Sequence, residues 1–211
     1  MGSTVEVLNV TKRFRDAVAL GNVSVKFEPG MIHGLIGRNG SGKTVLLKCI
    51  CGFMSPSEGE VRIDGVPVSV GRAQDIGLII EEPGFIDSMN ALRNLKLLAA
   101  VRNVIGVDEI RDAISAVGLD PNSRKTVGKF SLGMRHRLGI AQAIMEKPPL
   151  LLLDEPMNGL DKEGVLEMRE LFRRLRDGGT TILLASHYAE DIDELCDTVH
   201  EMDHGIITKL L

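Results

Sequence analysis

The stretch "GLIGRNGSGKTVLL", which begins at Gly34, sets Gly37, Gly40 and Gly42 directly ahead of Lys43 and Thr44. That spacing is G-x-x-x-x-G-K-[ST], and the residue types in it suit the gripping of a polyphosphate. Glycines lack a Cβ, so backbone N–H groups can curl against phosphate oxygens, and a helix opening at Lys43 adds the positive end of its dipole. The candidate nucleotide-binding residues are therefore Gly37, Arg38, Asn39, Gly40, Ser41, Gly42, Lys43, Thr44 and Val45. Lys43 would neutralise the β- and γ-phosphates, and the Thr44 hydroxyl would ligate Mg²⁺. Hydrolysis requires carboxylates as well, and "LLLLDEP" ends an apolar run in Asp154 and Glu155. Asp154 would hold the Mg²⁺ shell and Glu155 would polarise a water in line with the γ-phosphate as general base. The plainer readings are a glycine-rich turn for the first segment and a solvated acidic loop for the second; their occurrence together favours nucleotide chemistry.

Such residues act only if strands and helices hold them, and the patterning supplies both. "STVEVLNV" and "NVSVKFEPG" alternate apolar and polar, as strands of a half-exposed sheet do. "MIHGLIG" is a continuously apolar strand running into the glycine loop, and "TVLLKCICGF" is a helix stopped by Gly52. "GEVRIDGVPV" is a hairpin turned at Asp64 and Gly65, and "IGLIIEE" is a further buried strand. From about 88 to 129 the patterns are helical, in "MNALRNLKLLAAVRNV" and "VDEIRDAISAVGLD", which marks an inserted helical lobe. Then "SLGMRHRLGIAQAIMEK" reads as helix with Ser131 as its N-cap, "PLLLLDEP" as strand, "DKEGVLEMRELFRRLRDGG" as helix and "TTILLAS" as strand, before a final hairpin turned by "DHG". Alternating strands and helices imply a parallel sheet covered on both faces, with ligands at its switch points.

Composition sets outer limits. The chain of 211 residues is 44% hydrophobic and 26% charged, enough for one compact domain with a sizeable core. Its formal net charge of -4 gives nucleic acid or anionic lipid no global positive field, and the basic runs "TKRFR" and "LFRRLR" read as solvated faces. No apolar run approaches the ~20 residues that span a bilayer, and "MGSTVEVLNV" lacks the pattern of a signal peptide, so a soluble chain is expected. Three cysteines, without paired spacing, suit a reducing compartment and buried packing.

Further motifs carry a family resemblance. "FSLGMRHRLGIAQAI" resembles the signature segment of ATP-binding cassette (ABC) ATPases, "MNGLD" after Glu155 their D-loop, and "LLASH" their switch-histidine loop. With the glycine loop and the acidic strand end, these follow the family's order over essentially the whole chain. The resemblance implies the nucleotide-binding subunit of an ABC transporter with an α/β P-loop NTPase fold: a mainly parallel core sheet flanked by helices, an N-terminal antiparallel β-subdomain and an inserted helical subdomain. It implies one domain over 1–211, with 1–87 and 133–211 forming the core and 88–132 the helical subdomain. Phe14 stands where the family stacks an aromatic on adenine, against the plainer reading of a core aromatic. Ser131, Leu132, Gly133 and Met134 would meet the nucleotide of a second subunit, His187 would bond the γ-phosphate, and Asp161 would steady the contact between subunits. Glu81 occupies the position of the family's Q-loop glutamine, where it would join the Mg²⁺ and water shell while adding negative charge. Glu81 and "SLGM" are similar to the bacitracin-type and lantibiotic-immunity branch of exporters.

The resemblance further implies ATP and Mg²⁺ as cofactors, a second nucleotide-binding subunit joined head to tail, and a transmembrane permease that holds this chain at the cytoplasmic face of the membrane. No nucleic acid partner is expected. The alternative is a soluble ABC ATPase acting on DNA or ribosomes. The DNA type needs a long coiled coil between the glycine loop and the acidic strand, the ribosome type needs two cassettes in one chain, and neither is present. A non-catalytic binding module is the second alternative, and the presence of Glu155 speaks against it.

Overall fold

The structure, a computed structural model, describes residues 2–15, 17–71, 75–81 and 83–211. Glu82, at the end of the expected strand "IGLIIEE", lies outside the described residues.

Two sheets carry the molecule. The first has the order β2-β1-β4-β5, from β1 (Val5–Phe14), β2 (Ala17–Phe27), β4 (Glu58–Ile63) and β5 (Val66–Pro67), all antiparallel. Asp64 and Gly65 turn its last hairpin with φ of 51° and 77°, the paired positive values that suit a two-residue turn. The second sheet has the order β10-β9-β3-β8-β7-β6. It comprises β3 (Ile32–Ile36), β6 (Ile76–Ile79), β7 (Leu150–Asp154), β8 (Thr181–Ser186), β9 (Thr198–Asp203) and β10 (Ile206–Lys209). All its pairings are parallel except that of β10 with β9. The expected antiparallel β-subdomain and mainly parallel core are both present.

The helices are α1 (Lys43–Ile50), α2 (Ala91–Arg102), α3 (Val107–Ala116), α4 (Leu132–Ile144), α5 (Lys162–Asp177) and α6 (Ala189–Leu195). Polar side chains start three of them: Asn90 accepts from the Arg93 N–H, Ser131 from Met134 and Asp161 from Gly164. The parallel strands are apolar on both faces because both are covered. Leu151, Leu153, Ile182 and Leu184 point into a core shared with α2 to α5, while Leu150, Leu152, Leu183 and Ala185 point into a second core with α1 and the antiparallel sheet. Each fully buried leucine of this kind contributes roughly 1.5–3 kcal/mol, so the strand ends that carry polar residues rest on a rigid floor.

The two basic runs differ from the expectation of freely solvated faces. In "TKRFR", Thr11 is buried, the Lys12 ammonium donates to the Ser55 carbonyl at 2.8 Å and Arg13 pairs with Glu58. In "LFRRLR", Leu171 and Phe172 are buried, Arg173 pairs with Glu170, and Arg176 pairs with Asp177 and Asp197. Helix periodicity turns the apolar half of that run inward, and acidic neighbours pair with Arg173 and Arg176, while Arg174 is exposed as expected.

Candidate active site

Three strands that end side by side position the site. β8 lies between β3 and β7, so the residues just past the carboxyl ends of all three meet at one edge. From β3 the chain enters the glycine loop and α1, with Gly42 at the helix boundary in the left-handed region at φ 109°. A Cβ there would lie 2.7 Å from the Ala19 carbonyl oxygen, so only glycine fits. The Ser41 carbonyl accepts from the Gly205 N–H at 3.0 Å, which ties the loop to the β9–β10 hairpin.

The loop side chains converge. Lys43 is buried and its Nζ donates to the Gly37 carbonyl at 2.6 Å and to that of Arg38 at 3.4 Å. Thr44 Oγ1 donates to Asp154 Oδ2 at 2.6 Å, joining the first turn of α1 to the end of β7. Burial pushes the Asp154 carboxyl above its usual range; the Thr44 hydrogen bond, Lys43 and Lys48 oppose that shift. A cavity of about 330 Å³ lies over these groups, lined by Ala19, the loop from Arg38 to Val45, Asp154 and Glu155.

Glu155, one residue past β7, has φ 51°, an uncommon conformation for a residue with a Cβ, and its N–H donates to the Ala185 carbonyl at 2.9 Å. His187, one residue past β8, places Nδ1 2.8 Å from Glu155 Oε1. With the carboxylate ionised, Nδ1 carries the proton and donates, which leaves Nε2 facing away from the pair. The adjacency of two parallel strands, not sequence distance, brings these two side chains together.

The group that such a loop would hold is tested by the polar atoms left open to it. Among the described residues, Ser41 Oγ is buried without a hydrogen-bond partner, and a phosphate oxygen would supply the acceptor it lacks. Gly40 opens onto free space at the same loop. Thr44 and Asp154 offer a divalent cation a hydroxyl and a carboxylate, the sparse protein contribution Mg²⁺ takes when phosphates supply the rest. The residues present fit both groups.

Other expected site residues lie outside this cavity. Phe14, at the end of β1, is 43% exposed with Lys12 Nζ 5.2 Å from its ring centroid, so the core-aromatic reading does not hold. Ser131 and Leu132 are exposed at the start of α4, and neither lines the cavity over the loop. Gly133 packs against the D-loop segment: a Cβ there would lie 2.8 Å from the Gly159 carbonyl oxygen. Met134 carries the N–H that Ser131 accepts, and its sulfur lies 3.7 Å from Lys125 Nζ. Asp161 is spent, in this chain, on capping α5 at 2.9 Å from the Gly164 nitrogen. Glu81, with φ 65°, pairs with Lys48 of α1. It lines a second cavity, of about 300 Å³, with Leu132, His136, Asp154 and Glu155.

Sequence reasoning missed Lys48, although its place four residues after Thr44, hence on the same helix face, was a usable signal. It also left His33 and His200 without partners. Both are buried against Phe27, with ring centroids 5.2 Å from it, and His33 bonds Thr198 Oγ1 and the Glu28 carbonyl.

Comparison with known proteins bears on the family and the fold. The family model described as ABC transporter matches residues 20–158. The ABC transporter ATP-binding protein YybJ of Bacillus subtilis (strain 168) is 44% identical over 203 residues, covering 95% of this chain and 93% of YybJ. The bacitracin transport ATP-binding protein BcrA of Enterococcus faecalis is 37% identical over 213 residues, 99% of this chain and 69% of BcrA. Among solved structures, the dimeric bacterial ABC transporter cassette MJ0796 superposes with a TM-score of 0.88 at 23% identity, covering 98% of this chain and 99% of that one, a likeness of fold. The chain is thus an ATP-binding, ATP-hydrolysing subunit and a member of the ABC transporter family.

Proposed function

We propose that this chain powers export through a separate membrane permease by ATP-driven closure of a head-to-tail dimer, at the cytoplasmic face of the membrane. The observation that carries the reading is the division of the groups. Lys43, Thr44, Asp154, Glu155 and His187 gather at one edge, whereas Ser131 stands exposed and lines neither the cavity that Leu132 shares with Asp154 and Glu155 nor the adjoining one over the loop. A second copy would bring its Ser131 to Met134 segment over that cavity, and the open N-terminus of α4 suits a phosphate. Asp161 would meet the partner beside its own helix cap, and Phe14 offers adenine an accessible ring.

The chain's residues divide the work. Backbone N–H groups of Gly37 to Val45 cradle the phosphates, and Lys43 turns from the loop carbonyls toward them. Thr44, Asp154 and Glu81 would hold Mg²⁺, which would supply positive charge to offset that of the phosphates. Glu155 takes the proton of the attacking water, and His187 orients Glu155 through Nδ1 while presenting Nε2 to the γ-phosphate.

The segment 88–132 passes the motion to the permease as a unit distinct from 1–87 and 133–211. Its helix α2 leaves Leu97 50% and Val101 83% exposed, an apolar face suited to a membrane partner. The bacitracin and lantibiotic branch, and with it an antimicrobial peptide or similar amphiphile as cargo, is supported by the relative named for bacitracin transport and by Glu81.

Glu155→Gln tests the reading. It removes the base and keeps the shape, so phosphate release falls at least ~100-fold while Mg-ATP converts the protein to a stable dimer on size exclusion. Unchanged release, or turnover per molecule that does not fall on dilution, would show that no composite site of this kind operates.

A further inference from the structure

Glu81, set by the resemblance at the position of the family's Q-loop glutamine, adds a full negative charge to a cavity that already contains Asp154 and Glu155. The structure shows where the balance comes from. Lys48 lies four residues after Thr44 on α1, on the same helix face, and its ammonium pairs with the Glu81 carboxylate. Lys48 is largely shielded, at 24% side-chain exposure, whereas Glu81 is 69% exposed on a left-handed backbone at φ 65°. The cation is thus the fixed member and the carboxylate the movable one. Lys48 also acts on Asp154, holding its carboxyl down while Glu81 pushes it up, both after the larger effects of burial, the Thr44 hydrogen bond and Lys43.

We propose that Lys48 is a positioning residue of the metal and nucleotide site. By pairing with Glu81 it makes positions 48 and 81 jointly neutral, as an amide would be, and holds the carboxylate at the edge of the site until a divalent cation competes for it. The inference rests on the proposed site and adds what that site needs in order to use a carboxylate. A pair this open to solvent contributes little to folding stability. Its effect lies in charge: without Lys48, Glu81 faces the triphosphate uncompensated, most severely when no Mg²⁺ is present to offset it. Lys48 therefore sets how strongly nucleotide binding depends on the divalent cation.

The test is a cycle of substitutions in the full chain, read as ATP affinity by titration calorimetry in EDTA and again in excess Mg²⁺. Lys48→Met is expected to weaken ATP binding about tenfold in EDTA and under threefold in Mg²⁺, because the cation then takes over the neutralisation. Adding Glu81→Gln to Lys48→Met should return the EDTA affinity to within about twofold of the parent, and Lys48→Arg should keep it. Lys48→Gln serves as a second neutral variant, and unchanged melting of the nucleotide-free proteins separates charge from folding. An EDTA loss that is the same with and without Glu81→Gln would mean that Lys48 acts on the phosphates or the fold directly, and would overturn the proposal. So would a loss that Mg²⁺ does not relieve. If the unsubstituted chain binds no ATP at all, the site itself is misread and both proposals fall together.

Discussion

At the residue scale, the decisive contact joins His187 to Glu155 at 2.8 Å. A histidine one residue past a strand has no role that its neighbours in sequence reveal, and this one acquires it from β7 alongside. The Glu155 side chain, on a backbone at φ 51°, has its orientation fixed by that contact with His187. Removing that partner should therefore harm turnover more than binding. His187→Ala is expected to lower phosphate release about 100-fold or more while changing the affinity for Mg-ADP less than threefold, by single-turnover and equilibrium titrations. A parallel loss of affinity would show that His187 serves to build the pocket instead. The cysteines fall at the opposite extreme. Burial pushes the Cys49 thiol up to about 11 and that of Cys196 to about 12, which leaves them inert packing groups.

At the scale of elements, helix starts have two uses. Asp161 caps α5, and Ser131 caps α4, through ordinary side-chain acceptors, while both residues are exposed and are proposed to meet a second subunit. The local use can be separated from the distant one. Asp161→Ala should cost about 1 kcal/mol, a fall of roughly 2–4 °C in the melting temperature of the nucleotide-free protein, whereas Asp161→Asn should hold that temperature because an amide oxygen also caps. Turnover lost in Asp161→Asn at full stability would then report the contact between subunits. Equal melting of the Ala and Asn variants would remove the cap from consideration. Most elements were legible from pattern: α5 from its helical pattern and its terminal glycines, the hairpins from Asp64-Gly65 and His204-Gly205, and the core strands from continuous apolar runs, whereas the cap that Asp161 gives α5 was not read. The strand expected over "IGLIIEE" is shorter, ending at Ile79, since Glu81 takes a left-handed conformation and leaves the ladder.

At the scale of the whole molecule, two buried histidines couple the sheets to pH. His200, on β9, is pushed down to about 4 by burial, with His33 and Lys209 adding to the effect, and burial also lowers His33 against the pull of the Glu28 carbonyl and of Asp197. Both are neutral in the folded protein near neutral pH, and the unfolded chain protonates them at about 6.5. The unfolded state therefore binds more protons below that pH, and stability falls as pH drops from about 6.5 toward about 4, then levels with respect to His200 once the folded form is protonated too. His200 accounts for ~2–3 kcal/mol of that loss. Denaturation midpoints at pH 7 and pH 4.5 should converge in His200→Phe, which keeps a ring against Phe27 without a basic nitrogen. An unaltered acid limb would place the sensitivity elsewhere. Among the described residues no helix is long and apolar enough to cross a membrane.

Taken by itself, the sequence determined the order of chemistry along the chain: a phosphate-gripping loop between strand and helix, an acidic strand end, and a histidine after the next strand in chain order. These are local matters, governed by the backbone freedom of glycine, by apolar periodicity and by caps, and they can be read without a partner. Only the tertiary structure decided which of those residues touch. The β3-β8-β7 order set His187 against Glu155 and Thr44 against Asp154, the pairing of Lys48 with Glu81 balanced a charge that looked uncompensated, and the exposure of Phe14 removed it from the core. Contacts of that kind depend on strand order and on the direction a side chain leaves its element. Neither quantity is encoded at any single position, because both are settled by how the whole chain packs.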